Sequence, residues 1–217
     1  IVDECPYKSP TDMGVNMAGN CIVDDEACRE ASCQEIIRRY YHTLVNIARG
    51  KAKEEEAYKI ELLMNKAGIT TKDRKVVEAA LKRAEETGDT AAALELPDGR
   101  LITGKTSELL GACSALLIKA LKVLADIDRD VLLITPNVIM PIQKLKVNYL
   151  GSRNPLLHME EVLIALSASS ESSELADLAL RQLPRLRGSQ VHTSRMLSDT
   201  DEKTFQKLGV MLTSEPR

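Results

Sequence analysis

Apolar residues recur three or four apart from the first quarter of the chain onward. Ala27, Ala31, Ile36, Ile37, Tyr40, Tyr41, Leu44, Val45 and Ala48 form such a row, with Asp24 or Asp25 placed to cap it and Gly50 to stop it. A second helical row runs from about Lys53 to Ala67, with Gly68 as its stop. A third carries Val76, Val77, Ala80, Leu81 and Ala84, with Thr71 before it and Gly88 after it. After Gly88 the period shortens. The run "AALELPDGRLITG" reads as a β-hairpin, 91–96 paired with 100–103 around a Pro97-Asp98-Gly99 turn. Beyond it the pattern predicts a helix over 106–125, a strand over 131–135 ("VLLIT") and a helix near 137–149. Helices over 158–169 and 173–183 follow, then a strand over 189–194, a helix over 199–208 and a strand over 210–213.

Strands alternating with helices imply an α/β layered structure, and the hairpin makes its sheet mixed. The expected fold class is therefore α/β (α+β), a helical subdomain followed by a three-layer α/β/α subdomain. Three segments are expected: a Pro-, Gly- and Asn-rich loop over 1–24, a helical bundle over 25–88, and an α/β part over 89–217 with a mixed five-stranded sheet.

Composition narrows the class. The chain has 217 residues, 44% hydrophobic and 28% charged, enough for a real buried core. Aromatics are 3%, with no Trp and one Phe, so the core must be aliphatic. The net charge of -3 points to neither nucleic acid nor an anionic membrane. No apolar run reaches about 18 residues, so no membrane-spanning helix is expected. The five cysteines, Cys5, Cys21, Cys28, Cys33 and Cys113, contain no C-x-x-C pair and read as reduced thiols of a cytoplasmic protein.

The sharpest motif is Gly99-Arg-Leu-Ile-Thr-Gly104-Lys105-Thr106, which fits the G-x-x-x-x-G-K-[ST] pattern of a phosphate-cradling loop. Its intervening residues, Arg100, Leu101, Ile102 and Thr103, are better suited to a strand than to a cradle. The competing reading is a hairpin followed by a helix start, with Thr106 or Ser107 as the cap and an anion held on its N–H groups. Hairpin, helix, strand and helix in that order also suggest cytidine-deaminase-like topology. The zinc motif is missing, because Ala115, Asn137 and Met140 stand where Glu and two Cys would be needed.

His42, His158 and His192 are far apart and form no metal pair, so no metal is expected. The basic run with Arg181, Arg185, Arg187 and Arg195 reads as a solvated face or an anion site. For hydrolysis, Ser107, Cys113 and Ser114 are the candidate nucleophiles, with no base identifiable beside them.

Several stretches together, "YKSPTDMGVNMAG", "QEIIRRYY", "GKTSELLGACSALLIKALK", "PIQKLKVNYLGSRNPLLHMEEVLIAL" and "LGVMLTSEP", resemble the C-terminal half of bacterial proteins grouped as domain of unknown function 1846, or uncharacterised protein family 0371. The resemblance implies a chain about twice as long, a missing N-terminal half as partner, and the same helical-then-α/β order. Some members carry the label ATP-dependent peptidase. ATP with magnesium is then expected of the longer protein, and no cofactor of this chain.

Three readings follow. The first is a ligand-binding module for a small anionic or nucleotide-like ligand, at Lys8, Ser9, Thr11, Asp12, Asn16, Lys105, Thr106, Ser107, Arg153, Asn154 and His158. Lys105 and Arg153 supply its charge. The second is a structural module forming a homo-oligomer through Tyr40, Tyr41 and Tyr58. The third is an ATP-dependent hydrolase or peptidase using the Gly99–Thr106 loop.

Overall fold

A computed structural model describes residues 24–217. Asp24 accepts a hydrogen bond from the Ala27 N–H at 2.9 Å and so starts helix α1, Asp25–Ala48. Helix α2, Glu54–Ala67, opens with three glutamates that complement its dipole. A 3-10 turn at Thr71–Asp73 leads into α3, Lys75–Thr87. Ile37, Tyr41, Met64 and Val77 form the small core that joins these three helices.

The hairpin forms as the turn residues require, β1 (Ala91–Glu95) pairing with β2 (Leu101–Lys105). Helix α4 is Ala112–Ala125, α5 Pro136–Lys144 and α6 Met159–Ser170; α7 is Glu174–Leu180 and α8 Asp199–Lys207. Strands β3 (Gln190–Thr193) and β4 (Met211–Ser214) complete the sheet, whose order is β2-β1-β3-β4. β1 is antiparallel to both its neighbours, while β3 and β4 run parallel through the α8 crossover.

Alternation along β1 sorts the layers. Ala93 faces Val76 and Ala80 of α3, whereas Ala92 and Leu94 face the larger core with Leu116, Leu117 and Leu121 of α4. His192, paired with Ala93, meets Tyr41 of α1 on the α3 face. Phe205 of α8 and Leu166 of α6 fill the opposite face. The chain is thus a mixed helix-and-sheet protein with helices on both faces of the sheet.

Two expectations are corrected. The sheet has four strands among the described residues, not five, because 131–135 pairs with nothing. Leu133 and Ile134 are buried there, but as an irregular plug between an Asp128–Asp130 turn and Pro136, the first residue of α5. Burial alone rewarded those side chains, and no open strand lay beside them. The helix expected from 106 starts at Ala112, with Gly111 and not Thr106 or Ser107 as its cap. Residues 109–111 instead pair with Leu157: the Leu157 N–H donates to Leu109 O at 3.1 Å, and the Gly111 N–H to Leu157 O at 3.3 Å. The helix expected over 137–149 ends as a π-helical turn at Leu145–Tyr149.

Candidate functional site

Strands β2, β3 and β4 end, and β1 begins, on the same side of the sheet. Ligands of open α/β sheets sit in the crevice outside the carboxyl ends of the parallel strands. Here β3 and β4 end side by side, with Thr193 opposite Ser214. Gly88, at φ +70°, stops α3 and lets the chain turn straight into β1. Ser194 closes the β1–β3 pair: its Oγ accepts the Ala91 N–H at 3.0 Å, and its own N–H donates to Ala91 O at 2.9 Å. The Thr193 hydroxyl donates to Arg195 O at 2.7 Å, and the Met196 N–H donates to Arg217 O at 3.0 Å, so residues 195 and 217 are held near each other.

An open crevice of about 1180 Å³ lies between these strand ends and the outer surface of α3. Lys72, Lys82, Arg195 and Arg217 bring positive charge to it; Glu78, Glu85 and Asp89 bring negative charge. Tyr41, Thr71, Thr90 and Ser194 add hydroxyls, and Val77, Leu81 and Ala84 an apolar strip.

Beneath it lies a buried polar network. Arg74 is 1% exposed and faces neutral acceptors. It donates through Nε to Thr213 Oγ1 (3.1 Å), to Met211 O (2.7 Å) and Val191 O (3.3 Å), and to the Gln190 and Gln34 side chains. Burial pushes its pKa down to about 10, with the Arg38 charge adding to the effect. His192 is fully buried, with Nδ1 2.9 Å from Thr213 Oγ1 and Nε2 3.3 Å from Glu215 Oε1. The second contact is poorly aligned, leaving Nε2 without a good hydrogen bond. The Thr213 hydroxyl accepts the Arg74 Nε–H and donates its own proton to Val191 O at 3.0 Å. Burial holds His192 below the ordinary imidazole range, while His192 and then the positive charge of Arg217 hold Glu215 below the usual carboxylate range. The Tyr41 ring packs edge-on against His192, with centroids 4.8 Å apart, and burial and the Glu215 charge push its hydroxyl well above the usual phenol range.

Residues 72–217 match the family described as domain of unknown function DUF1846, C-terminal, and residues 1–68 match its N-terminal counterpart. The chain belongs to the DUF1846 family. It is 55% identical over 212 residues to the UPF0371 protein of Corynebacterium urealyticum, covering 98% of this chain and 43% of the relative. It is 52% identical over 216 residues to the UPF0371 protein of Streptococcus thermophilus strain CNRZ 1066, covering 100% of this chain and 44% of the relative. The chain therefore spans less than half the length of these curated relatives. The expected resemblance to a C-terminal half alone is too narrow, because both parts of DUF1846 are present. The junction between the two matches, 68 to 72, falls between α2 and α3, which places α3 with the sheet that it covers.

The residues named from sequence in this DUF1846 chain fall into separate places. Lys8, Ser9, Thr11, Asp12 and Asn16 lie outside the described residues. Lys105 ends β2 on the crevice side of the sheet, and the N–H of Thr106, just past that end, donates to Thr90 O at 2.9 Å. The Ser107 hydroxyl accepts the Leu110 N–H at 3.0 Å. Arg153 and Asn154 are exposed on the loop before α6, where Asn154 Oδ1 accepts the Leu156 N–H. His158 caps α6, with Nδ1 3.1 Å from Asp201 Oδ2. The 109–111 and 157 segments bring the two loops together, but none of these six side chains lines the crevice.

The Gly99–Thr106 stretch is strand and turn, not a phosphate cradle. Gly99, at φ +84°, makes the hairpin turn, and Gly104 lies inside β2 against α4. Of the candidate nucleophiles, Cys113 is buried and its thiol pushed well up by burial, and the buried Ser114 hydroxyl donates to Leu157 O. His42 is exposed on α1. No group of three His, Cys, Asp or Glu side chains suited to a metal occurs among the described residues. No helix among them is long and apolar enough to cross a membrane. Sequence reasoning missed Lys72, Lys82, Ser194, Glu215 and Arg217. Arg195 was visible as part of a basic run, and the end of a predicted strand just before it was the usable signal.

Proposed function

We propose that this DUF1846 chain is a ligand-binding module whose crevice at the carboxyl ends of β3 and β4 takes a small anion. The convergence of Lys72, Lys82, Arg195 and Arg217 on one crevice supports this reading. Thr90, Ser194 and the Tyr41 hydroxyl supply hydrogen bonds beside the charges. ATP with magnesium is the nucleotide to try first, on this chain and on one of its longer relatives. Calorimetric titration with inorganic phosphate, pyrophosphate and ATP–magnesium tests the proposal. Binding that weakens at least tenfold in Arg195→Ala, and stays unchanged in Lys105→Ala, places the anion in the crevice. Binding abolished by Lys105→Ala and indifferent to Arg195 moves the site to the end of β2.

A second reading is self-association through α2. Tyr58 and Leu62 lie one helical turn apart and are 60% and 44% exposed. Tyr41 is buried in the small core, and the Tyr40 hydroxyl is engaged by Glu61 at 2.7 Å, so Tyr58 is the aromatic left for a partner. Sedimentation equilibrium decides it: a dimer dissolved by Leu62→Glu favours it, and a monomer at high concentration removes it.

A further inference from the structure

We infer that the ligand of this crevice is an amphiphilic anion, a single phosphate or carboxylate head carrying an apolar tail. The inference rests on the anion-binding reading of the same crevice and adds to it the shape of the ligand. Val77, Leu81 and Ala84 follow the i, i+4, i+7 spacing and make one continuous row along α3. Val77 is covered by the small core, whereas Leu81 and Ala84 stay part-exposed in the crevice wall, where a head group alone would leave them wet. From Leu81 to Ala84 the part-exposed stretch is about 4.5 Å long at the helical rise. The neighbouring row on α3 is Glu78, Lys82 and Glu85, an alternation of acid, base and acid. That row has no net attraction for a second anionic group, and Asp89 adds a further carboxylate. A polyanion laid along α3 would meet these carboxylates, so the charge pattern favours one head over many. The head belongs where the strand ends place Arg195 and Arg217, and the tail along the apolar row.

Decyl phosphate, kept below its micelle-forming concentration, and inorganic phosphate are the probes, titrated calorimetrically, with decyl maltoside as the uncharged control. Each buried methylene strengthens binding by roughly fourfold, so decyl phosphate should bind at least tenfold tighter than phosphate. Arg195→Ala should weaken both phosphates. Ala84→Glu, which puts a carboxylate on the apolar row, should remove the tail's advantage and leave phosphate binding in place. Circular dichroism confirms that each variant is folded, and Leu81→Gln serves if Ala84→Glu is not. Equal affinity for the two phosphates overturns the amphiphile while leaving the anion site standing. Decyl maltoside binding as tightly as decyl phosphate also overturns it, because the head then contributes nothing. If neither phosphate binds, the anion site fails as well.

Discussion

A methyl group added at position 104 would sit 2.7 Å from the Leu116 amide nitrogen and 2.8 Å from the Ala112 carbonyl oxygen. Both are helix backbone, so neither can move aside as a side chain would. Gly104→Ala should therefore cost about 1–3 kcal/mol by forcing α4 off the sheet. Urea unfolding checks this, and a variant as stable as the parent would mean that the helix does not lie so close. The same glycine fits a nucleotide motif on paper, yet its job is steric. Composition pointed the right way: Leu101, Ile102 and Thr103 are strand residues, and the hairpin was readable from them together with Pro97-Asp98-Gly99. Arg74 was not readable. Its acceptors are Gln34, Gln190, Val191, Met211 and Thr213, and nothing beside it in sequence marks it as buried.

At the scale of elements, one carboxylate serves two helices. Asp201 sits in the first turn of α8, near the N-cap Ser198, and its Oδ1 accepts the Met159 N–H at the start of α6 at 3.0 Å. Its Oδ2 lies 3.1 Å from His158 Nδ1 and accepts the Ser198 hydroxyl at 3.2 Å. Two helix N-termini thus share one negative charge, which their dipoles favour. Asp201→Ala should lower stability by about 1–3 kcal/mol, since it strands a buried N–H on α6. Ser198→Ala, which loses the cap and one hydroxyl bond to Asp201 but leaves the Met159 N–H paired, should cost about 1 kcal/mol. Equal losses in the two variants would argue against the shared role. The positions of α6 and α8 were legible from periodicity; the bond between them, across 43 residues of sequence, was not. The strand expected at 131–135 failed for a related reason. An apolar run announces burial, but whether an open strand waits beside it is settled elsewhere in the chain.

For the molecule as a whole, acidity is the condition to vary. His192 titrates below its ordinary value of 6.5 in the fold, so the unfolded chain binds the proton more readily. Stability from this residue is complete above pH 6.5 and is lost as the pH falls below it. Glu215 is likewise depressed from 4.5, and its contribution is lost below that pH. The unfolding midpoint should fall between pH 7 and 5 and fall again below 4.5. His192→Asn should flatten the first decline and also shrink the second, because His192 is the chief group holding Glu215 down. A parent protein equally stable at pH 7 and 5 would count against a neutral, buried His192. The layered class, with helices on both faces and a mixed sheet, followed from the order of periodicities. The crevice did not, because its walls come from α3, the strand ends and residue 217, which only the sheet order brings together.

The position of β1 at the centre of the sheet has a consequence for the order of assembly. Its pairing with β2 closes a short turn, whereas its pairing with β3 joins Ala92 to Thr193, about a hundred residues later. The hairpin can form while the chain is otherwise open; β3 and β4 must wait until α4 to α7 have collapsed. Pulse-labelled hydrogen exchange during refolding should protect the amides of Leu94 and Ile102 before those of Val191 and Glu215, the last of which donates to Thr193 O at 2.9 Å. The crevice, built at the far ends of the late strands, is then among the last features of this protein to exist.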